Sequence, residues 1–404
     1  MNQISPIAAE APLIDPHWLL EDPHARFAEL REKHPVIKIN DRCYYVLRAE
    51  DVMPLLKDDG TVQVEGRDYV AHHQVPEGAM ARFLRDVLLF ANGQDHRTKR
   101  GPFARTFSHQ AIRASRDGIE AVARNIVANL PQGESFDFVE HMAGRVPSEM
   151  IASIIGLPIS EASYFAPRIY DMAKAVAPIY PIDNHARIET AAGEVFTYVK
   201  EHMLARMTAP NDDLLSKLVA DWVHNQEMEF DCLVNQVLAM MLGGSDTTRA
   251  AFAMTVSLLR QRPQDWAALH ADPSLVPEAI SESMRFEPSV SNVPRFTVSE
   301  MQIGGTRVPA GVLLQLSTMS AMRDPKLYSE PDVFNMRRTD HPRLHLVFGH
   351  GAHRCIGEML ARLEMEESLK ALLAAAPDIE IETAPRMLGF GGIRQITPMI
   401  VRIP

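Results

Sequence analysis

The chain has 404 residues, 46% of them hydrophobic, and a formal net charge of −11. That is enough apolar material for one large core or two ordinary domains. The acidic balance, with no basic stripe interleaved with aromatics, argues against a nucleic-acid partner. The three cysteines, Cys43, Cys232 and Cys355, form neither a CxxC pair nor a spaced half-cystine framework, which implies a reducing cytoplasm. No stretch reaches the roughly eighteen apolar residues that would span a bilayer. The N-terminal Met-Asn-Gln-Ile-Ser-Pro lacks a basic start and an apolar core, so neither a leader nor a membrane anchor is expected.

In chain order, β-like runs fall at Val36 to Asn40 and Tyr44 to Arg48. A helix follows that carries His-Arg-Thr-Lys-Arg, in which i, i+4 spacing aligns His96 with Arg100 and leaves Arg97 and Lys99 on a solvated face. The longest predicted helix runs from Glu227 to Arg262 and stops at Pro263. Its middle contains Gly243-Gly244-Ser245-Asp246-Thr247. Two glycines inside an apolar helix cost about 1 kcal/mol each relative to alanine, so they are read as making room for something at the helix surface. The Thr247 hydroxyl can bond a carbonyl one turn earlier, opening the helix locally.

A shorter helix from Val276 to Phe286 places Glu282 and Arg285 on one face. Further β-like runs cover Phe296 to Val298, Gln302 to Val308 and Val312 to Ser317, with Arg295 at a strand start. Residues 348–357 then read Phe-Gly-His-Gly-Ala-His-Arg-Cys-Ile-Gly, before a helix from Glu358 to Ala375 and a last β-like run from Pro398 to Ile403. No repeat, low-complexity segment or Gly/Ser linker interrupts the chain. The expected architecture is one domain, residues 1–404, mainly α with a small β-rich lobe formed by both ends of the chain.

A cysteine held between glycine turns and a helix that begins at about Ile356 is set up to be a thiolate, because helix N-terminal amides and neighbouring Arg354 and His353 favour the charged sulfur. Gly351 and Gly357 remove side chains where a flat ligand approaches. Thiolate is one of the few axial ligands of haem iron. Two other readings stand at this level: a structural cysteine, or a zinc site built from His350, His353 and Cys355.

Phe-Gly-x-Gly-x-His-x-Cys-x-Gly resembles the haem-binding signature of the cytochrome P450 monooxygenases. The resemblance implies the P450 fold, a triangular helical body with a long central helix over haem b, whose iron takes Cys355 as axial ligand. His96, Arg100, Arg295 and His353 match propionate-binding positions, while Gly243, Gly244, Phe348, Gly349 and Gly357 border the cofactor. Glu282 and Arg285 become a structural pair that locks the stretch before the cysteine loop through Arg337 or Arg338. Asp246 and Thr247 become the acid and alcohol that govern protonation during use of O2; the alternative for Asp246 is an i+3 ion pair with Arg249.

The family's pocket regions here contribute Phe83, Leu88, Leu89, Phe90, Ile169, Met172, Val176, Met240, Val290, Val293 and Phe390, an apolar surface suited to a small hydrophobic substrate such as a terpenoid, aromatic or steroid. With no flavin or dinucleotide fingerprint in the chain, electrons must come from outside. The resemblance implies a soluble, bacterial-type enzyme served by an iron–sulfur ferredoxin and an NAD(P)H-dependent reductase. Arg97, Lys99, Arg354 and Arg362 would offer the docking face. A peroxide-driven oxygenase and a non-catalytic haem sensor or carrier are the alternatives.

Overall fold

A computed structural model describes residues 9–57, 60–104, 106–177, 179–341 and 345–404. The N-terminal residues 1–8, on which much of the leader expectation rests, lie outside them. The longest helix is Phe230–Arg260. It is apolar on almost every face, so it can be satisfied only in the middle of the molecule. There it packs against Arg145–Ile155, Ala162–Ala173, His185–Thr208 and Val276–Phe286. Helix Glu358–Ala375, with the expected bounds, packs against Arg116–Ala128 and reaches the central helix as well. Among the described residues no helix is long and apolar enough to cross a membrane.

The main sheet has five strands in the order Val36–Asn40, Cys43–Val46, Leu313–Leu316, Val293–Thr297, Thr61–Val62. Cys43–Val46 and Leu313–Leu316 run parallel and the remaining pairs antiparallel. The third expected run is longer than foreseen, and Arg295 lies inside the strand opposite Leu314. The run from Gln302 to Val308 is a hairpin of Met301–Ile303 and Thr306–Val308, turned by Gly304 and Gly305 at φ 56° and 84°, where a side chain would be strained. The β-rich part is not one lobe. The last strand, Ile400–Arg402, lies between Glu380–Thr383 and Ser135–Asp137, apart from the five-stranded sheet.

Glu282 and Arg285 are both fully buried. Two parallel hydrogen bonds of 2.7 and 2.8 Å join them. Arg285 also donates to the carbonyls of Met322 and Pro331. Glu282 accepts from the Asn335 amide at 2.8 Å and from Arg338 at 3.2 Å. Of the two arginines expected as partners, Arg338 is the one used, and Arg337 is exposed. Two buried charges persist because every polar atom on them finds a partner, as a low-dielectric interior demands.

Candidate functional site

Gly349 and Gly351 adopt φ of 68° and 70° and fold the segment before Cys355 back on itself. The Cys355 amide then donates to the Phe348 carbonyl at 2.9 Å. The following helix starts at Glu358, with Gly357 at its N-cap, as the run Glu358 to Ala375 implied and two residues beyond the start at about Ile356 on which the thiolate expectation rests. Arg354 donates to the Gly349 carbonyl at 3.1 Å and pairs with Glu358, pinning the loop to that helix.

The sulfur of Cys355 opens onto the central cavity but is otherwise enclosed by protein. Burial pushes its thiol up, more than the Gly357 amide, Arg100 and Arg354 pull it down. The expected thiolate is therefore not secured by dipole and cations alone; a cation at the sulfur must supply the remainder. Among the described residues no group of three or more His, Cys, Asp or Glu side chains converges to hold a metal ion, which counts against a zinc site at His350, His353 and Cys355.

The cavity has a volume of about 300 Å³ and lies between the cysteine loop and the central helix. Phe348, Gly349, Cys355, Ile356, Gly357 and Leu360 form one side; Met240, Gly243, Gly244 and Thr247 form the other. At one end the His96 ring lies 4.0 Å from the His353 ring, with Arg295 beside the latter. His96 Nε2 and His353 Nδ1 are buried without partners. Burial first, then His96, Arg295 and Arg100, push His353 down to about 3. Arg295 is buried against Gln63 Oε1 at 2.6 Å, and Arg100 donates to the Arg354 carbonyl at 2.8 Å. A broad apolar floor beside orphaned donors and crowded cations fits a planar cofactor with carboxylates at one edge, so the residues present fit haem.

The central helix stays continuous through the glycine pair, without the opening expected there. The two glycines have different reasons. A Cβ on Gly243 would meet only open space, whereas one on Gly244 would come within 3.0 Å of Ile151, on the neighbouring helix. Thr247 donates to the Gly243 carbonyl at 3.0 Å, as foreseen, and lines the cavity. Asp246 does not line it. Fully buried, it pairs with Arg249, whose guanidinium lies 3.8 Å from the Tyr170 ring centre. Asp246 Oδ2 has no hydrogen-bond partner, and neither has the Gln395 amide nitrogen nearby. Burial raises the Asp246 carboxyl, while Arg249 and then Gln395 act to lower it. The ion-pair reading of Asp246 holds; the acid is also incompletely satisfied, one residue from a cavity-lining hydroxyl.

Leu89, Phe90, Val176, Met240, Val290 and Val293 line the cavity as expected. Phe390 does not; it packs among Phe27 and Tyr45 in the core, and Gly392 and Ile393 of the same turn take the wall. Phe83, Leu88, Ile169 and Met172 are core residues too. Lys99 is not on a solvated face: it is buried and paired with Asp95 at 2.8 Å, leaving Arg97 exposed. Arg362 is held by Ser281 and Glu358.

Glu364 was missed by sequence reasoning. It is 1% exposed, lines the cavity, has no partner on either oxygen, and burial holds its carboxyl well above the usual range. Its signal was an acidic residue four after Leu360 on the buried stripe of that helix. Tyr69, on the short helix Gly66–His72, and Asn292, just before strand Val293–Thr297, also line the cavity.

A family model described as cytochrome P450 matches residues 159–375, more than half of the chain. The plant-inducible cytochrome P450-pinF1 of Rhizobium radiobacter is 34% identical over 403 residues, covering 100% of this chain and 94% of that protein. Nocardicin C N-oxygenase of Nocardia uniformis subsp. tsuyamanensis is 31% identical over 379 residues, 91% of each. Among solved structures, the P450 enzyme CxnD for C–S bond formation in chuangxinmycin biosynthesis superposes with a TM-score of 0.87 at 26% identity and covers 98% of each chain. With the cysteine loop, the glycine groove and the cavity between them in place, these matches identify the chain as a monooxygenase of the cytochrome P450 family.

Proposed function

We propose that this chain is a haem-thiolate monooxygenase that places one oxygen atom from O2 into a C–H bond of a small hydrophobic molecule of terpenoid, aromatic or steroid-like kind. The observation that carries the reading is that Cys355 and the Gly243–Thr247 groove open onto the same apolar cavity. Haem b, held through Cys355, supplies the reductive activation of O2 and the transfer of one oxygen atom, a chemistry that consumes two electrons and two protons.

The chain's own residues do the rest. Arg295, Arg100, His96 and His353 supply the donors and charge for the propionates. Gly243 keeps the groove open, and the apolar walls exclude water that would otherwise divert reducing equivalents. Thr247 presents its hydroxyl to the cavity, and behind it Asp246, ion-paired with Arg249 and raised by burial, is the group that takes up a proton and passes it on. Exchange of its Arg249 pair for solvent reloads that proton. Glu364, a buried and unpartnered carboxyl whose hold on its proton burial strengthens, offers a second acid at the cavity wall.

Electrons come from an iron–sulfur ferredoxin and its NAD(P)H-dependent reductase, in the cytoplasm that the cysteine usage implies. The ferredoxin docks on the face of the cysteine loop near exposed Arg97; Lys99, Arg354 and Arg362 are already committed to internal partners. Turnover of candidate substrates with a ferredoxin, a reductase and NAD(P)H tests the reading. Product carrying one added oxygen, formed in step with NAD(P)H consumption, supports it. Product from peroxide alone would replace it with the peroxide-driven reading, and reduction without any product would leave a haem carrier.

A further inference from the structure

One wall of the cavity is the segment 87–92, whose regular structure is the single turn Leu88–Phe90. Leu89 and Phe90 line the cavity from it. A segment so short is placed by what grips it, and the grip at its start comes from the central helix. The Gln236 side chain is 0% exposed; its Oε1 accepts from the Leu88 amide at 2.8 Å and its Nε2 donates to the Asp86 carbonyl at 2.8 Å. Asn235 adds a 2.7 Å bond to the Asp86 carboxylate. At the far end Asn92 closes a reciprocal pair with the Gln63 backbone, at 2.8 and 3.0 Å, and Gln63 in turn holds Arg295.

Gln236, Met240, Gly243 and Thr247 follow one another at spacings of four, three and four, which puts them on one face of the helix. The clamp therefore lies about 10 Å along a rigid rod from the opening at Gly243. A wall fastened there cannot slide relative to the groove without breaking both bonds of the amide. The Phe90 ring also stacks on Tyr69 at 4.5 Å, and the Tyr69 hydroxyl shares its one proton between the carbonyls of Ala175 and Ala177, at 3.2 and 3.3 Å. A shift at Leu88 is thereby passed to the segment 175–177, where Val176 and Ala177 line the cavity.

We propose that Gln236 is a specificity-determining positioning residue: by gripping Asp86 and Leu88 together it sets where Leu89 and Phe90 stand relative to the oxygen groove, and so which substrate shapes are accepted. Only a primary amide supplies an acceptor and a donor to these two backbone groups at once. A glutamate in its place would keep the acceptor and, once ionised, lose the donor; a methionine would keep the volume and lose both. The inference rests on the haem reading given above.

The test compares the haem-loaded wild type with Gln236→Met and Gln236→Glu. Each is titrated with imidazole, which reaches only the cofactor, and with 4-phenylimidazole, whose ring must meet the wall, and binding is followed by the Soret shift. The expected result is an imidazole Kd constant within about twofold and a 4-phenylimidazole Kd changed by about tenfold in Gln236→Met, with Gln236→Glu between. Equal shifts for both ligands, or none for either, overturn the proposal. Amide hydrogen exchange on the same proteins gives a readout independent of ligand: faster exchange confined to residues 86–91 supports the clamp, and unchanged exchange there refutes it. A wild type that shows no Soret response to imidazole would fail the haem reading instead, and the exchange comparison would still decide the clamp.

Discussion

Two buried acid–arginine pairs share the i, i+3 spacing on a helix: Glu282–Arg285, outside the cavity, and Asp246–Arg249, beside it. In the first, the carboxylate accepts from Arg285, Arg338 and the Asn335 amide, and the guanidinium reaches three carbonyls besides. In the second, Asp246 Oδ2 and Arg249 Nε are left without partners. A fully satisfied buried pair has one low-energy arrangement and serves as a fastening. A partly satisfied one keeps an unmet demand for a proton or a hydrogen bond, which suits chemistry and costs stability.

Removal of one side of the first pair gives the largest effect. Glu282→Ala strands Arg285 and Arg338 in the interior and is expected to cost about 3–5 kcal/mol, read as a lower unfolding temperature and poor recovery of haem-loaded protein. At the second pair an isosteric change should leave folding nearly alone and strike turnover. Asp246→Asn is expected to slow product formation by about 10²-fold with substrate binding unchanged. Thr247→Ala should bind substrate normally but divert NAD(P)H electrons to peroxide or water; unchanged coupling of consumption to product would contradict the relay.

Acidification probes a third buried group. His345 Nε2 lies 3.0 Å from the Ser281 carbonyl, and burial pushes the ring down to about 3. Its ordinary value is about 6.5, so between roughly pH 6.5 and 3 the unfolded chain binds a proton that the folded chain refuses, and stability falls as pH falls. This one histidine should account for about 2 kcal/mol of loss between pH 7 and pH 5, and chemical denaturation of His345→Asn should show a correspondingly shallower pH dependence.

The smallest effect is expected at Glu364. Glu364→Gln replaces an unpartnered acid, whose charged form burial disfavours, with an amide of the same shape and should change stability by less than about 1 kcal/mol. Glu282→Gln, at a charged and fully bonded site, should cost several times more. Equal costs at the two positions would erase the distinction between fastening and reactive acids.

Much of the site was legible because its residues stand in a short, rigid spacing. The cysteine loop, the glycine groove and the Glu282–Arg285 pair could each be read from local order, and the helices Val276–Phe286 and Glu358–Ala375 appear with the expected bounds. What escaped depends on contacts between distant segments. Phe390 and Ile393 sit three residues apart in one turn, and only the approach of Phe27 and Tyr45 decides which of them turns inward to the core. Lys99 looked solvated because helical spacing shows its face, not the burial that pairs it with Asp95. The thiolate character assigned to Cys355 overlooked desolvation, which depends on how completely the fold encloses the sulfur.

The account depends most on Cys355 as the axial ligand. The direct measurement is the absorption spectrum of the dithionite-reduced protein with and without carbon monoxide, on wild type and on Cys355→His. A strongly red-shifted Soret band in the wild type, replaced by a band typical of histidine ligation in the variant, is the predicted result. A wild-type band already at the histidine position, or no difference between the two proteins, would contradict the assignment and the chemistry built on it.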